Sequence, residues 1–171
     1  AVDGMAEACR KLNTPVIGGN VSLYNENAKG AIYPTPVVGM VGLIEDIDHI
    51  TTQHFKREGD IVFLLGETRA ELGGSEFQKT IHGVTEGRPP QIDLDQEKAL
   101  LDAVLYAIRE GLVASAHDLS DGGLAVALAE SCIGGRIGAA VDIATDLRAD
   151  FTLFSESQSR ILLSASPEKA E

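Results

Sequence analysis

The chain contains no tryptophan, only two cysteines and only five phenylalanines among its 171 residues. Its interior must therefore be aliphatic, and with 44 % hydrophobic residues it has enough apolar side chains for a folded core rather than a disordered chain. Cys9 and Cys132 are too far apart for a metal-binding pair and both sit in apolar helical contexts, so they read as reduced core thiols of a cytoplasmic protein. No apolar run approaches the roughly 18 residues of a membrane span, and no secretory signal is present, so no membrane partner is expected. Positive charge is scarce as well. Fourteen Lys and Arg against 26 Asp and Glu leave a net charge of −12, with no basic block, which argues against a nucleic-acid partner. A small phosphorylated substrate remains compatible with this balance, because Mg²⁺ can mediate between carboxylates and phosphate.

What is present centres on Ser115 to Glu130, SAHDLSDGGLAVALAE. It reads as the end of a strand, a polar turn with His117, Asp118, Ser120 and Asp121, and a helix opened by Gly122-Gly123. Ser120 or Asp121 is expected to cap that helix, and the glycine pair to admit a ligand close to free backbone N–H groups. A plain capped turn is the competing reading of the same residues.

Ahead of this stretch, Val2, Met5 and Cys9 form a helical stripe with no preceding cap, which reads as a start within an element. Val16-Ile17 then suggests a short strand leading into Gly18-Gly19-Asn20-Val21-Ser22, a loop suited either to ligand contact or to an ordinary turn. A polar loop from Tyr24 to Tyr33 precedes Val37 to Ile44, an expected strand whose Gly39 and Gly42 call for close packing. His49 and His54 fall in a polar linker and are expected to face solvent. Ile61 to Leu65 reads as a strand buried on both faces, followed by a short helix over Glu76 to Ile81. Asp93 and Gln96 suggest a capping box for the longest helix, Gln96 to Glu110, with Leu100, Leu101, Val104, Leu105 and Ile108 on one face. The helix after Gly123 is expected to end near Cys132, where Gly134 and Gly135 break the chain before a strand at Ala139 to Ile143. A last strand is expected at Ile161 to Ala165. The alternation from Ile61 to Ile143 indicates an α/β (α+β) domain, a mixed or parallel sheet flanked by helices.

Four segments together resemble the phosphoribosylformylglycinamidine synthase family: IGGNVSLYNE at 17–26, TPVVGMVG at 35–42, AHDLSDGG at 116–123 and LFSESQSR at 153–160. The resemblance implies an ATP-dependent ligase of purine biosynthesis, which converts formylglycinamide ribonucleotide to formylglycinamidine ribonucleotide with glutamine-derived ammonia and Mg²⁺. It implies the tail of a second A-type, ATP-binding module over residues 1–48, a linker at 49–58, and a second B-type C-terminal module over 59–171. By the same likeness Gly19 contacts ATP, Asn20 contacts Mg²⁺ and Ser22 contacts substrate, while Asp118 matches a Mg²⁺ ligand and Glu156, Ser157 and Gln158 substrate contacts of the first B-type module and belong here to its second copy, which in the family faces an auxiliary nucleotide site. No catalytic residue is implied here, since the family's catalytic histidine belongs to a different module from His49, His54, His82 and His117. The implied partners are the nucleotide substrate, the remainder of a synthetase chain and a glutamine amidotransferase domain or subunit. The alternative is a non-catalytic nucleotide-binding or oligomerisation module of a related synthase.

Overall fold

The computed structural model describes residues 1–22 and 24–170, and the chain divides into two compact units, Ala1–Ile44 and Glu45–Glu171. In the first unit, α1 (Val2–Lys11) carries Asp3 in its first turn and Arg10 and Lys11 in its last, each matching the helix dipole. The polar loop contains a small hairpin, β1 (Glu26–Asn27) with β2 (Gly30–Ala31). Its turn is closed by Lys29 N–H donating to the Asn27 side chain at 2.8 Å. Neither Val16-Ile17 nor Val37 to Ile44 forms a strand. A strand requires a ladder partner for its backbone groups, and among the described residues of this unit neither segment has one. Val37 and Val41 are accordingly 95 % and 100 % exposed.

The second unit is built on a three-stranded sheet in the order β3 (Ile61–Leu65), β5 (Ile161–Ala165), β4 (Ser115–Asp118). Both pairings are antiparallel. Strands β3 and β4 point the same way, as the strand–helix–strand alternation suggests, but β5 runs between them in the opposite sense. The α/β architecture is therefore as expected, while the parallel ladder is not formed. Central β5 is buried from Leu162 to Ala165, whereas β3 lies at the sheet edge and leaves Ile61 exposed and its other residues half-buried. Burial on both faces thus belongs to β5 and not to β3, because only the middle strand has neighbours on either side.

Helix α2 (Leu94–Arg109) starts on Asp93, whose Oδ1 accepts from Asp95 N–H at 2.9 Å and Gln96 N–H at 3.2 Å. The cap is as read from the sequence; the Gln96 side chain, however, accepts from Arg69 at 3.2 Å. Only Val104 of the expected apolar face is fully buried. Helix α3 (Gly123–Gly135) runs through Gly134 and Gly135 instead of breaking there. A Cβ on Gly135 would lie 2.2 Å from the Phe55 carbonyl, and one on Gly134 1.9 Å from His54 Nδ1. The glycines let residues 54–55 cross the helix, where Phe55 N–H donates to Ser131 O at 3.1 Å. His54 is consequently half-buried against α3, and His49 is half-buried too, so neither is a free solvent-facing side chain. Residues 139–143 make no ladder, and the expected helix at 76–81 is a wide helical turn over Gln78–His82. Helix α4 (Ala149–Phe154) precedes the polar 155–160 loop that leads into the last strand. The core joins Phe55, Leu119, Leu124, Ala127 and Leu162, with Leu128, Cys132 and Ile143 packed on it.

Candidate functional site

The antiparallel register of β4 on β5 decides which residues meet. His117 lies opposite Leu162 and Asp118 opposite Ile161, so the end of β4 stands beside the beginning of β5. Leu119 N–H then continues the pairing by donating to Arg160 O at 3.2 Å. The turn after β4, residues 119–122, is thereby placed against the loop before β5, residues 155–160. Two polar motifs far apart in the chain become one site.

On the β4 side, His117 is buried and its Nε2 is 2.8 Å from Glu130 Oε2 on α3. Its Nδ1 stands 3.5 Å from Asp118 Oδ1 and makes no hydrogen bond among the described residues. The Asp118 side chain is 74 % exposed, and its Oδ2 accepts from the Ser120 hydroxyl. That hydroxyl first, and His117 in addition, hold the Asp118 carboxyl below the usual carboxylate range, so it is ionised at neutral pH.

On the β5 side, the loop is knotted to residues 68–71. Ser155 Oγ donates to Arg69 O at 2.6 Å, and Arg69 N–H donates to Ser157 Oγ at 3.0 Å. Arg160, only 2 % exposed, donates through Nε to Ser157 O at 2.9 Å and through its terminal nitrogens to Thr68 Oγ1 at 3.0 Å and to Ser155 O. Burial pushes its guanidinium down to about 10, partly opposed by Glu71, which leaves it charged at neutral pH. Glu156 Oε1 accepts from Glu76 N–H at 2.8 Å and from Gly122 N–H at 2.9 Å. The N-cap of α3 is Gly122, with no side-chain cap from Ser120 or Asp121, and Glu156 holds that residue's own N–H from across the site. Gly122 and Gly123 are buried; a Cβ on Gly123 would meet residues 154–155 and one on Gly122 the Val126 side chain, so the pair serves packing, not the approach of a ligand.

Asp118, Asp121, Glu156 and Gln158 line a groove of about 290 Å³, walled by Leu100 and Glu97 of α2. Ser157 is buried behind it, 1 % exposed, with its hydroxyl engaged. A separate space of about 230 Å³ opens beside His117, Asp118 and Glu130. Gly19, Asn20 and Ser22 lie in the first unit as exposed, irregular chain with nothing within 4 Å of a Cβ added at Gly19. Sequence reasoning missed Arg160 as the hub of the 155–160 loop and Glu130 as the partner of His117. The spacing Gly123, Ala127, Glu130 (one helical face with two small residues) was the available signal for the second.

The family model for the AIR synthase related protein, C-terminal domain, matches residues 57–171, and that for the N-terminal domain matches residues 1–44. The chain belongs to the AIR synthase related protein family. This AIR synthase related chain is 55 % identical over 171 residues to the phosphoribosylformylglycinamidine synthase subunit PurL of Thermoanaerobacter sp. (strain X514), covering all of the chain and 23 % of that protein. It is 59 % identical over 168 residues to the same subunit of Moorella thermoacetica, covering 98 % of the chain and again 23 % of the relative. The chain thus spans about a quarter of the length of these curated relatives. Among solved structures, it resembles PurLQS from Thermotoga maritima with a TM-score of 0.68 and 25 % identity, over 99 % of this chain and 27 % of that one. It also resembles T. maritima PurL complexed with FGAR, with a TM-score of 0.61 and 30 % identity, over 72 % of this chain and 22 % of that one. No helix among the described residues is long and apolar enough to cross a membrane.

Glu156→Ala is expected to leave the Glu76 and Gly122 N–H groups unpaired and to cost about 1–3 kcal/mol. Glu156→Gln keeps an acceptor oxygen and should cost less. Urea denaturation of the three proteins measures the difference; equal midpoints for the two variants would show that charge, rather than acceptor geometry, is what matters.

Proposed function

We propose that this chain works as part of a cytoplasmic, ATP-dependent phosphoribosylformylglycinamidine synthase. That enzyme converts formylglycinamide ribonucleotide to formylglycinamidine ribonucleotide with ammonia from a glutamine amidotransferase domain or subunit. The observation that carries the reading is the groove in which the β4–β5 register unites Asp118 with Glu156 and Gln158. The names of the relatives and the FGAR complex of the T. maritima neighbour support the same substrate. In this reading residues 1–48 are the tail of an A-type module, 49–58 a linker and 59–171 a B-type module, with the remainder of the synthetase completing the site.

The residues present fit a hard cation. Asp118 offers an exposed, ionised carboxylate with Asp121 beside it, while no group of three or more His, Cys, Asp and Glu among the described residues would enclose a metal. Such a set suits Mg²⁺ that completes its shell with waters and phosphate oxygens. When bound, Mg²⁺ supplies charge neutralisation of the triphosphate. The chain's own part is positioning: in the second unit Asp118 supplies a carboxylate oxygen toward the cation and Gln158 a side-chain amide toward substrate, on a rim built by Glu156 and Ser157. In the first unit, taken by itself, Asn20 offers an amide oxygen for a cation, Gly19 backbone room for a nucleotide and Ser22 a hydroxyl for substrate. A second reading, a nucleotide-holding module without turnover of its own, is favoured by one observation. The Glu156 oxygen and the Ser157 hydroxyl are already engaged by the chain itself.

Asp118→Asn in the complete synthetase is expected to lower Mg-dependent retention of nucleotide while changing stability by no more than about 0.5 kcal/mol, since the side chain is exposed. Nucleotide content of purified enzyme, alongside thermal melting, reads both. Unchanged retention would make Asp118 a turn residue. Loss of turnover with nucleotide still bound would place it at the reacting centre.

A further inference from the structure

The register of β3 on β5 sets Ile61 against Ala165 and Val62 against Ser164, so β3 begins at the end of the sheet away from the Asp118 groove. A cavity of about 440 Å³ opens there, between the start of β3 and residues 137–142. Asp60, the residue before β3, lines it with a side chain only 7 % exposed. Its Oδ1 stands 3.6 Å from Nε of the exposed Arg57, too far for a hydrogen bond. Its Oδ2 is buried and has no hydrogen-bond partner among the described residues. A buried carboxylate oxygen without a donor is costly, and native structures leave few of them. We infer that this cavity is a binding site for a guanidinium group, with Asp60 as its anchor.

The lining selects that chemistry. Glu58 and Asp142 border the same cavity and with Asp60 outnumber Arg57, so it favours a cation. A guanidinium brings a planar fork of donors that both oxygens of one carboxylate accept, and it sheds water more easily than an ammonium. Phe55, Val62 and Ile137 offer an apolar wall for the carbon stem of an arginine. The volume falls within the roughly 300–1,000 Å³ of small-ligand sites. In addition, β3 is an edge strand, and residues 138–143 make no backbone hydrogen bond among the described residues. A guanidinium carried on an extended segment of a partner chain would find this unpaired backbone beside the cavity, whereas a small molecule would not use it.

The test is binding of two probes to the 171-residue chain, followed by amide chemical shifts and hydrogen exchange. One is N-acetylarginine amide, the other a five-residue peptide of threonine and valine around one arginine. Both should shift the amides of Gly59 to Val62 and of residues 138–142. Replacing arginine by citrulline, a neutral isostere, should weaken each probe by about tenfold or more, as the loss of a charged hydrogen bond does. Asp60→Asn should weaken both to the same degree and should melt no lower than the parent, because the chain itself gives Oδ2 no donor. A peptide bound more tightly than the amide, with slowed exchange in β3, identifies a partner segment as the source of the guanidinium; equal affinities identify a small molecule. Absence of shifts at Gly59 to Val62, or citrulline probes as strong as the arginine ones, would overturn the site. The citrulline comparison needs no variant, so it stands even where Asp60→Asn misfolds. An Asp60→Asn chain that melts earlier and binds the probes unchanged would assign Asp60 to the fold alone.

Discussion

Gly123→Ala is expected to destabilise the second unit by about 2–5 kcal/mol, a large part of the roughly 5–15 kcal/mol that holds a domain together. Two costs add. At φ +65° an L-residue is strained by about 1–2 kcal/mol. The new Cβ would also lie 2.4 Å from the Ser155 carbonyl oxygen and 3.0–3.1 Å from Phe154 backbone atoms, and overpacking of this kind typically costs about 1–3 kcal/mol. Backbone at the end of α4 cannot swing aside as a flexible side chain would, and Ser155 is also held by Arg69 and Arg160. Gly74→Ala separates the two costs, because Gly74 has φ +71° and nothing within 4 Å of an added Cβ. Urea midpoints should fall modestly for Gly74→Ala and much further for Gly123→Ala. Equal shifts would mean that residues 154–155 give way without penalty.

Arg160→Met should be nearly as damaging, at about 2–4 kcal/mol. The thioether fills much of the space but donates nothing, so Ser157 O and Ser155 O lose their donor in a buried place, and half-buried Thr68 Oγ1 loses one as well. Relief of a buried charge offsets part of the loss, since burial already opposes the guanidinium. Lysine would not repair it: one ammonium cannot span three acceptors that a planar fork reaches together. Hydrogen exchange should show faster opening of residues 155–160 and of Gly122, whose N–H depends on Glu156 in the same loop. Unchanged exchange at Gly122 would show that Glu156 is held independently of Arg160.

Legibility from sequence followed the range of the interactions. The Asp93 cap of α2 and the apolar run of β5 were readable because each depends on a few neighbouring residues. The segments Val37 to Ile44 and Ala139 to Ile143 have strand-like composition but no ladder partner among the described residues, and composition cannot report whether a partner exists. Glycines misled twice for one reason. A glycine records a missing Cβ, not what occupies its place: Ser155 at Gly123, and His54 and Phe55 at Gly134 and Gly135. At the site, the motifs carrying Asp118 and Glu156 were each visible, and their adjacency follows from the β4–β5 register. The contact of Glu130 with His117 and the hub at Arg160 needed the packing of α3 and of the 68–71 loop, which no local pattern contains.

The position of β5 between two strands that both precede it bears on how the chain reaches its fold. Among the described residues neither β3 nor β4 has a ladder neighbour until β5 arrives, and the contacts that bring it in span 49 residues from Ser164 to Ser115 and 92 from Arg160 to Thr68. Closing loops of that length before any ladder forms makes folding slow, in the millisecond-to-second range of domains dominated by non-local pairing. On the ribosome, the aliphatic β3 and the polar β4 would wait with open edges, exposed to association with other chains, until the strand that separates them has been synthesised.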